Sequence, residues 1–132
     1  VKNNRPYNCL LFQTHYGYFI CVPYRTNIRH SYAYKFKNSA RSQQHASGID
    51  YMKMVIIKNP AFVTANDALV DNDEYIETVQ NIDIIKQEAL GYLEDYIEYM
   101  QGASSLSNEE FRRRYRFSPL QYFHNELGLT SK

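Results

Sequence analysis

The chain has no tryptophan, two cysteines, five glycines and four prolines in 132 residues, and its first 58 residues hold a single carboxylate, Asp50. Each scarcity excludes something. The few glycines form no phosphate-cradling loop, and no HExxH, GxSxG or paired CxxC motif occurs, so the strongest enzyme signatures are missing. One carboxylate cannot build the converging ligand set of a two-metal nuclease, so no metal or other cofactor is expected. No apolar run approaches the length of a bilayer-spanning helix, and VKNNRPY at the start carries no signal region. A membrane partner is therefore not expected. The first residue is valine, which suggests that leading residues have been removed or are not included.

Cys9 and Cys21 lie in apolar runs without nearby ligand-type neighbours. They read as buried reduced thiols of a cytoplasmic protein. The length fits one domain, 1–132, with a basic β-rich part over 1–65 and a helical part over 71–128. Thirteen tyrosines, each an apolar ring with a polar end, favour wet interfaces.

A net charge of +1 conceals a division. Val1 to Lys58 carries nine Lys and Arg against Asp50, whereas the remainder carries six against thirteen Asp and Glu. A surface so one-sided attracts polyanions through phosphate contacts and counterion release, which favours a nucleic-acid partner.

Periodicity gives the architecture. NCLLFQ (Asn8 to Gln13) and YFICV (Tyr18 to Val22), joined by THYG, predict a β-hairpin at the sheet centre. Tyr32 to Lys37 alternates aromatic with small or basic residues and predicts a strand with a basic outer face. Asn38 to Gly48 reads as a long polar loop, Asp50 to Lys58 as one further strand, and AFVTA as a short candidate strand. From Asp71, capped by its own carboxylate with Glu74 three positions on, a stripe predicts one acidic helix to Gly102. The stripe is Ile76, Val79, Ile82, Ile85, Ala89, Leu93, Ile97 and Met100, read as core or partner packing. Ser107 to Glu110 announces a second helix and Pro119 a short third, so the fold class is α+β.

Chemistry without metals needs proton transfer and charge stabilisation. RNA is cleaved when its 2′-hydroxyl attacks the adjacent phosphorus, leaving a 2′,3′-cyclic phosphate and a 5′-hydroxyl. A protein aligns the attack, neutralises the phosphorane and protonates the leaving oxygen. The segment from Arg25 to Ser47 is dense in the required types. Arg25 and Lys37 are expected to stabilise the phosphorane, Thr26 and Ser47 to orient the phosphate, and His30 to donate the proton. Arg5, Tyr7, Asn27, Arg29, Lys35, Ser39, Arg41 and Lys53 are expected to hold flanking nucleotides. Each has a blander reading: Thr26 and Asn27 as an ordinary turn, His30 as an exposed histidine, Tyr32 and Tyr34 as sheet residues. Arg112 to Arg114 suit either phosphates or the acidic helix. A non-catalytic RNA-binding module is the alternative function; a structural partner-binding protein built on the acidic helix is a third.

RPYNCLLF, YFICVPYRTN, KFKNS and SGIDYMKMVIIKN, followed by a long acidic helix, resemble the toxins of type III toxin–antitoxin systems, the ToxN/AbiQ group and its CptN and TenpN relatives. The resemblance implies a compact antiparallel β-barrel-like core related to the MazF, Kid and CcdB toxins. It implies a metal-independent endoribonuclease held inactive by a pseudoknot RNA antitoxin, which it also processes from a repeated precursor and with which it closes into hetero-oligomers. It puts the basic residue before the first strand at Arg5 and the hydroxyl residue after Pro23 at Thr26. Members like ToxN have a polar pair at the places of Arg25 and Thr26 and a lysine two residues beyond. Here that place holds Ile28, which leaves the acid role between His30, Lys35 and Lys37. Those members also carry an N-terminal helix and strand that has no counterpart in this reading.

Overall fold

A computed structural model describes residues 9–58 and 71–129. A hairpin forms where the sequence predicts one, but only its second strand is central; the first is an edge of the sheet, not its centre. Strands β1 (Cys9–Gln13) and β2 (Phe19–Arg25) pair antiparallel, with Leu11 opposite Cys21. Thr14 closes the turn: its hydroxyl donates to the Tyr18 carbonyl at 2.9 Å and accepts from the Tyr16 amide. Gly17 supplies the positive φ, +100°, that this turn requires.

The hairpin register overturns the expectation of two reduced thiols: Cys9 and Cys21 form a disulfide. Cys9 stands opposite Pro23, and Cys21 two positions away stands opposite Leu11, so both side chains share one face with Cα atoms 5.8 Å apart. Only the register brings them together, and register is invisible in spacing alone. Closing a loop of this size stabilises a fold by roughly 3 kcal/mol.

The predicted strand over Asp50 to Lys58 is divided. β4 (Gly48–Asp50) ends where Asp50 accepts the Met52 amide at 3.0 Å and starts a 3₁₀ turn, Tyr51–Lys53, after which β5 (Val55–Ile57) runs on. Tyr51 and Met52 are buried in succession, which a strand with one wet face does not allow. β4 and β5 share one edge of β2, opposite Tyr24–Arg25 and Phe19–Cys21 respectively, and β3 (Ala33–Lys35) pairs outside β4. The five described strands make an open antiparallel sheet, and the barrel-like closure implied by the resemblance is not present among the described residues. AFVTA lies outside the described residues.

The polar loop of Asn38 to Gly48 contains a short helix, α1 (Ala40–His45), capped by Ser39 and ended by Ala46 in the left-handed region. It has no buried residue, and therefore no apolar stripe by which to read it. The single acidic helix is two: α2 (Asn72–Gln80) and α3 (Ile82–Met100), broken at Asn81, whose amide side chain donates to the Glu77 carbonyl. The Asp71 cap is present. In α3 the predicted stripe does its expected work, with Ile85, Ala89 and Leu93 buried against Ile20, Val22, Ile49, Met54 and Ile56 of the sheet region. Each isoleucine, leucine, valine or methionine among them contributes about 1.5–3 kcal/mol when fully buried. In α2 the stripe fails: Ile76 and Val79 are exposed, as is Met100 at the end of α3, and α2 turns Glu74, Glu77 and Thr78 inward.

Helix α4 (Asn108–Tyr115) begins at Ser107, which accepts the Glu110 amide as the capping pattern predicts. Its Arg114 pairs with Asp95 of α3 at 3.2 Å and with Glu110, so this arginine serves the acidic helix. The chain closes with a 3₁₀ turn, Pro119–Tyr122, and α5 (His124–Leu127) before Gly128. Tyrosines join the layers: Tyr24, Tyr34 and Tyr51 reach from the β side to Thr78, Glu77 and Glu88. Among the described residues no helix is long and apolar enough to cross a membrane.

Candidate nucleic-acid interface

Alternation along β4 sorts the polar residues onto two sides. Ile49 faces the helices, with Tyr24 and Tyr34 beside it, whereas Gly48 and Asp50 face the other way, in register with Arg25 and with Lys35 and Ala33. On that second side the chain from Arg25 to His30 curls over the sheet. Asn27 takes a left-handed φ of 59°, tolerated by asparagine, and its amide donates to the His45 carbonyl. The Ile28 amide donates to the Ala46 carbonyl at 3.1 Å, and the Ile28 side chain is buried over Gly48. Ile28 thus pins the loop.

The result is a cleft of about 270 Å³. Arg25, Thr26, Asn27, Arg29 and His30 line it from the curled loop, and Asp50, Lys53 and Phe117 from beyond. Asp50 is buried and fully engaged. Its Oδ1 accepts from the Met52 amide and lies 3.1 Å from His30 Nε2, and its Oδ2 lies 3.6 Å from Arg25 Nε. Half of the Arg25 side chain (51%) stays in solvent, so the guanidinium has donors to spare. Lys53 Nζ donates to the Phe117 carbonyl at 3.0 Å, which holds an ammonium at the cleft edge.

His30 has both ring nitrogens occupied. Nδ1 accepts the Tyr32 amide at 3.0 Å, which assigns the ring proton to Nε2, and Nε2 faces Asp50. In this arrangement His30 orients the loop against Asp50, and it reaches a leaving oxygen only if the ring turns.

The other predicted residues are placed elsewhere. Ser39 and Ser47 are buried on the helix side, where their hydroxyls donate to Glu74 Oε2 at 2.8 and 2.5 Å. Arg41 Nη2 lies 3.4 Å from Glu74 Oε1, close enough for charge pairing, although Oε1 and Arg41 Nε have no directed hydrogen bond among the described residues. Lys37 gives its backbone amide to Glu77 while its side chain is exposed, and Lys35 is exposed on the strand in register with Gly48; neither lines the cleft. Arg5 and Tyr7 lie outside the described residues. Burial, followed by the hydrogen bond to Glu77, pushes the Tyr34 hydroxyl up to about 12. Tyr51 is raised in the same way, by burial first and Glu88 second. Both phenols remain donors that tie the helices to the sheet.

Sequence reasoning missed two cleft residues. Asp50 carried a signal, since a lone carboxylate among cations is a natural ion-pair centre. Phe117 carried none, because only the tertiary fold brings it to Lys53. Among the described residues no three His, Cys, Asp or Glu side chains gather where they could hold a metal ion. No family model, curated protein or solved structure matches the chain.

Proposed function

We propose that the protein is a metal-independent endoribonuclease toxin acting at the Arg25–His30 cleft, of the type III toxin–antitoxin kind that its sequence resembles. One observation carries the reading: Arg25, Thr26, Asn27, Arg29, His30 and Lys53 converge on one hollow whose single carboxylate among the described residues is already spent on its neighbours. A hollow lined by two guanidiniums and an ammonium, with a hydroxyl and an amide between them, suits a phosphodiester. In this reading Arg25, Arg29 and Lys53 neutralise the phosphorane, and Thr26 and Asn27 orient it. The 2′-hydroxyl is the nucleophile and gives its proton to water as the phosphorus–O5′ bond breaks, the cyclic phosphate and 5′-hydroxyl are the products, and His30, turned away from the Tyr32 amide and Asp50 and protonated on both ring nitrogens by solvent, protonates the leaving oxygen. The open sheet would be the described part of a barrel of the MazF, Kid and CcdB kind. The partners are a pseudoknot RNA antitoxin, which the toxin also processes and with which it assembles, and a cellular RNA substrate in the cytoplasm. The reducing poise of that compartment would oppose the Cys9–Cys21 bridge.

The engaged state of both His30 nitrogens favours a second reading, a module that binds RNA at the same cleft without cutting it. RNA incubated with the protein and EDTA separates the two. Cyclic phosphate and 5′-hydroxyl ends are expected, and Thr26→Ala, with its fold intact by circular dichroism, is expected to lower their yield at least tenfold. RNA that is bound but stays whole overturns the nuclease and leaves the module.

A further inference from the structure

Lys53 and Phe117 also line a second hollow of about 320 Å³, adjacent to the first across these two residues and walled beyond them by Arg116, Ser118, Pro119 and Tyr122. Two aromatic rings stand open along it: Phe117 is 60% and Tyr122 77% exposed. Their backbone is anchored. Tyr115, Ser118 and Leu120 are buried, and the Ser118 hydroxyl accepts the Leu120 amide to start the 3₁₀ turn that carries Tyr122. The segment therefore alternates inward anchors with outward rings, so the rings are presented on fixed backbone. Cations attend the first ring. The Arg116 guanidinium lies 4.6 Å and Lys53 Nζ 6.0 Å from the Phe117 centroid. Among the described residues the second hollow has no carboxylate in its wall, and the first has only buried Asp50.

Open aromatic faces beside cations, on a track without accessible negative charge, are what single-stranded nucleic acid requires. Bases stack on the rings while phosphates meet the cations. Duplex RNA does not fit, because its bases are already stacked and its edges lie in grooves. We propose that Phe117 and Tyr122 form a base-stacking platform that receives the nucleotides flanking the cleft, with Lys53 and Arg116 holding the phosphates between them. This rests on the reading of the cleft as an RNA site, and it adds the substrate class, single-stranded RNA, and two residues that grip it.

Because the chain has no tryptophan, F117W makes a protein with one indole, placed on the platform. A mixed-sequence single-stranded RNA is expected to quench its emission, whereas inorganic polyphosphate of equal charge leaves it nearly unchanged. Independently, F117A/Y122A is expected to weaken binding of the same RNA to the full chain roughly five- to a hundredfold, with kcat held and KM raised if the protein cleaves. The platform is overturned if F117W emission does not respond to bound RNA, if polyphosphate quenches equally, or if F117A/Y122A binds as tightly as the parent. Quenching without cleavage products would sink the nuclease and keep the platform. Cleavage with an unchanged KM in F117A/Y122A would do the reverse.

Discussion

Two polar regions meet at β4, built from the same residue types and put to opposite uses. On the helix side, Ser39, Arg41 and Ser47 surround Glu74, and the amides of Lys37 and Asn38 close on Glu77; both carboxylates are buried. On the cleft side, Thr26, Arg25, Arg29 and His30 surround Asp50, also buried, yet the two arginines are exposed. The contrast lies in the ratio of charges. Two carboxylates on the helix side take up the two serine hydroxyls and two backbone amides offered to them, with Arg41 held only by charge pairing, whereas one on the cleft side leaves guanidinium and ammonium groups with bonds still to make. A serine or arginine is therefore structural or available for a ligand according to which carboxylate it meets, and residue type alone does not tell.

That contrast can be broken in order of expected effect. Glu74→Ala strands two buried hydroxyls and an arginine, and is expected to lower the unfolding free energy by about 3 kcal/mol, below the cost of a dry ion pair because Arg41 is partly wet. Urea denaturation measures it. Unchanged stability with lost RNA affinity would mean that the two sides have been assigned the wrong way round. Gly48→Ala attacks the strand that divides the regions. A Cβ there collides with the Tyr34 carbonyl and lies 3.2 Å from Ile28 Cδ1, so about 2 kcal/mol of stability should go. The thermal midpoint should fall together with cleft integrity, the latter read as RNA affinity. Arg25→Ala touches the cleft alone. RNA affinity is expected to drop roughly tenfold, and the slope of log affinity against log salt to shrink by about 1, with stability nearly unmoved. An unchanged slope would remove Arg25 from the phosphate contacts.

The smallest effect is alkaline. The folded Tyr34 phenol keeps its proton to about 12, whereas the unfolded one releases it near 10.0. Across that window the native state binds more protons than the unfolded state, so stability present below pH 10 falls as pH rises. Tyr34→Phe should flatten that decline in denaturation midpoints measured at increasing pH, while leaving the cleft's RNA affinity at neutral pH unchanged.

What could be read from sequence was local. The Thr14–Gly17 turn and the Asp71 and Ser107 caps each depend on residues within four positions, and all three form as predicted. The Arg25–His30 cluster was legible for the same reason, since a contiguous stretch stays together in any fold. The inward turn of α2 was not. Glu74 and Glu77 look like a solvated face until Ser39, Ser47 and two backbone amides arrive from more than 25 residues away. Ile76 and Val79, apolar and regularly spaced, consequently point outward. The Cys9–Cys21 pairing needed a strand register, and the approach of Phe117 to Lys53 needed the whole chain.

The disulfide has a bearing on self-association. β1 is an edge among the described strands, paired only with β2. An edge strand that detaches exposes its own backbone and uncovers its neighbour's, which is how sheets exchange strands between molecules and seed aggregates. The bond from Cys9 to Cys21 ties β1 to its partner at one end, so that even when its ladder opens the strand cannot swing away to recruit another copy. Oxidation thus opposes strand exchange at that edge, and reduction lowers the barrier to it.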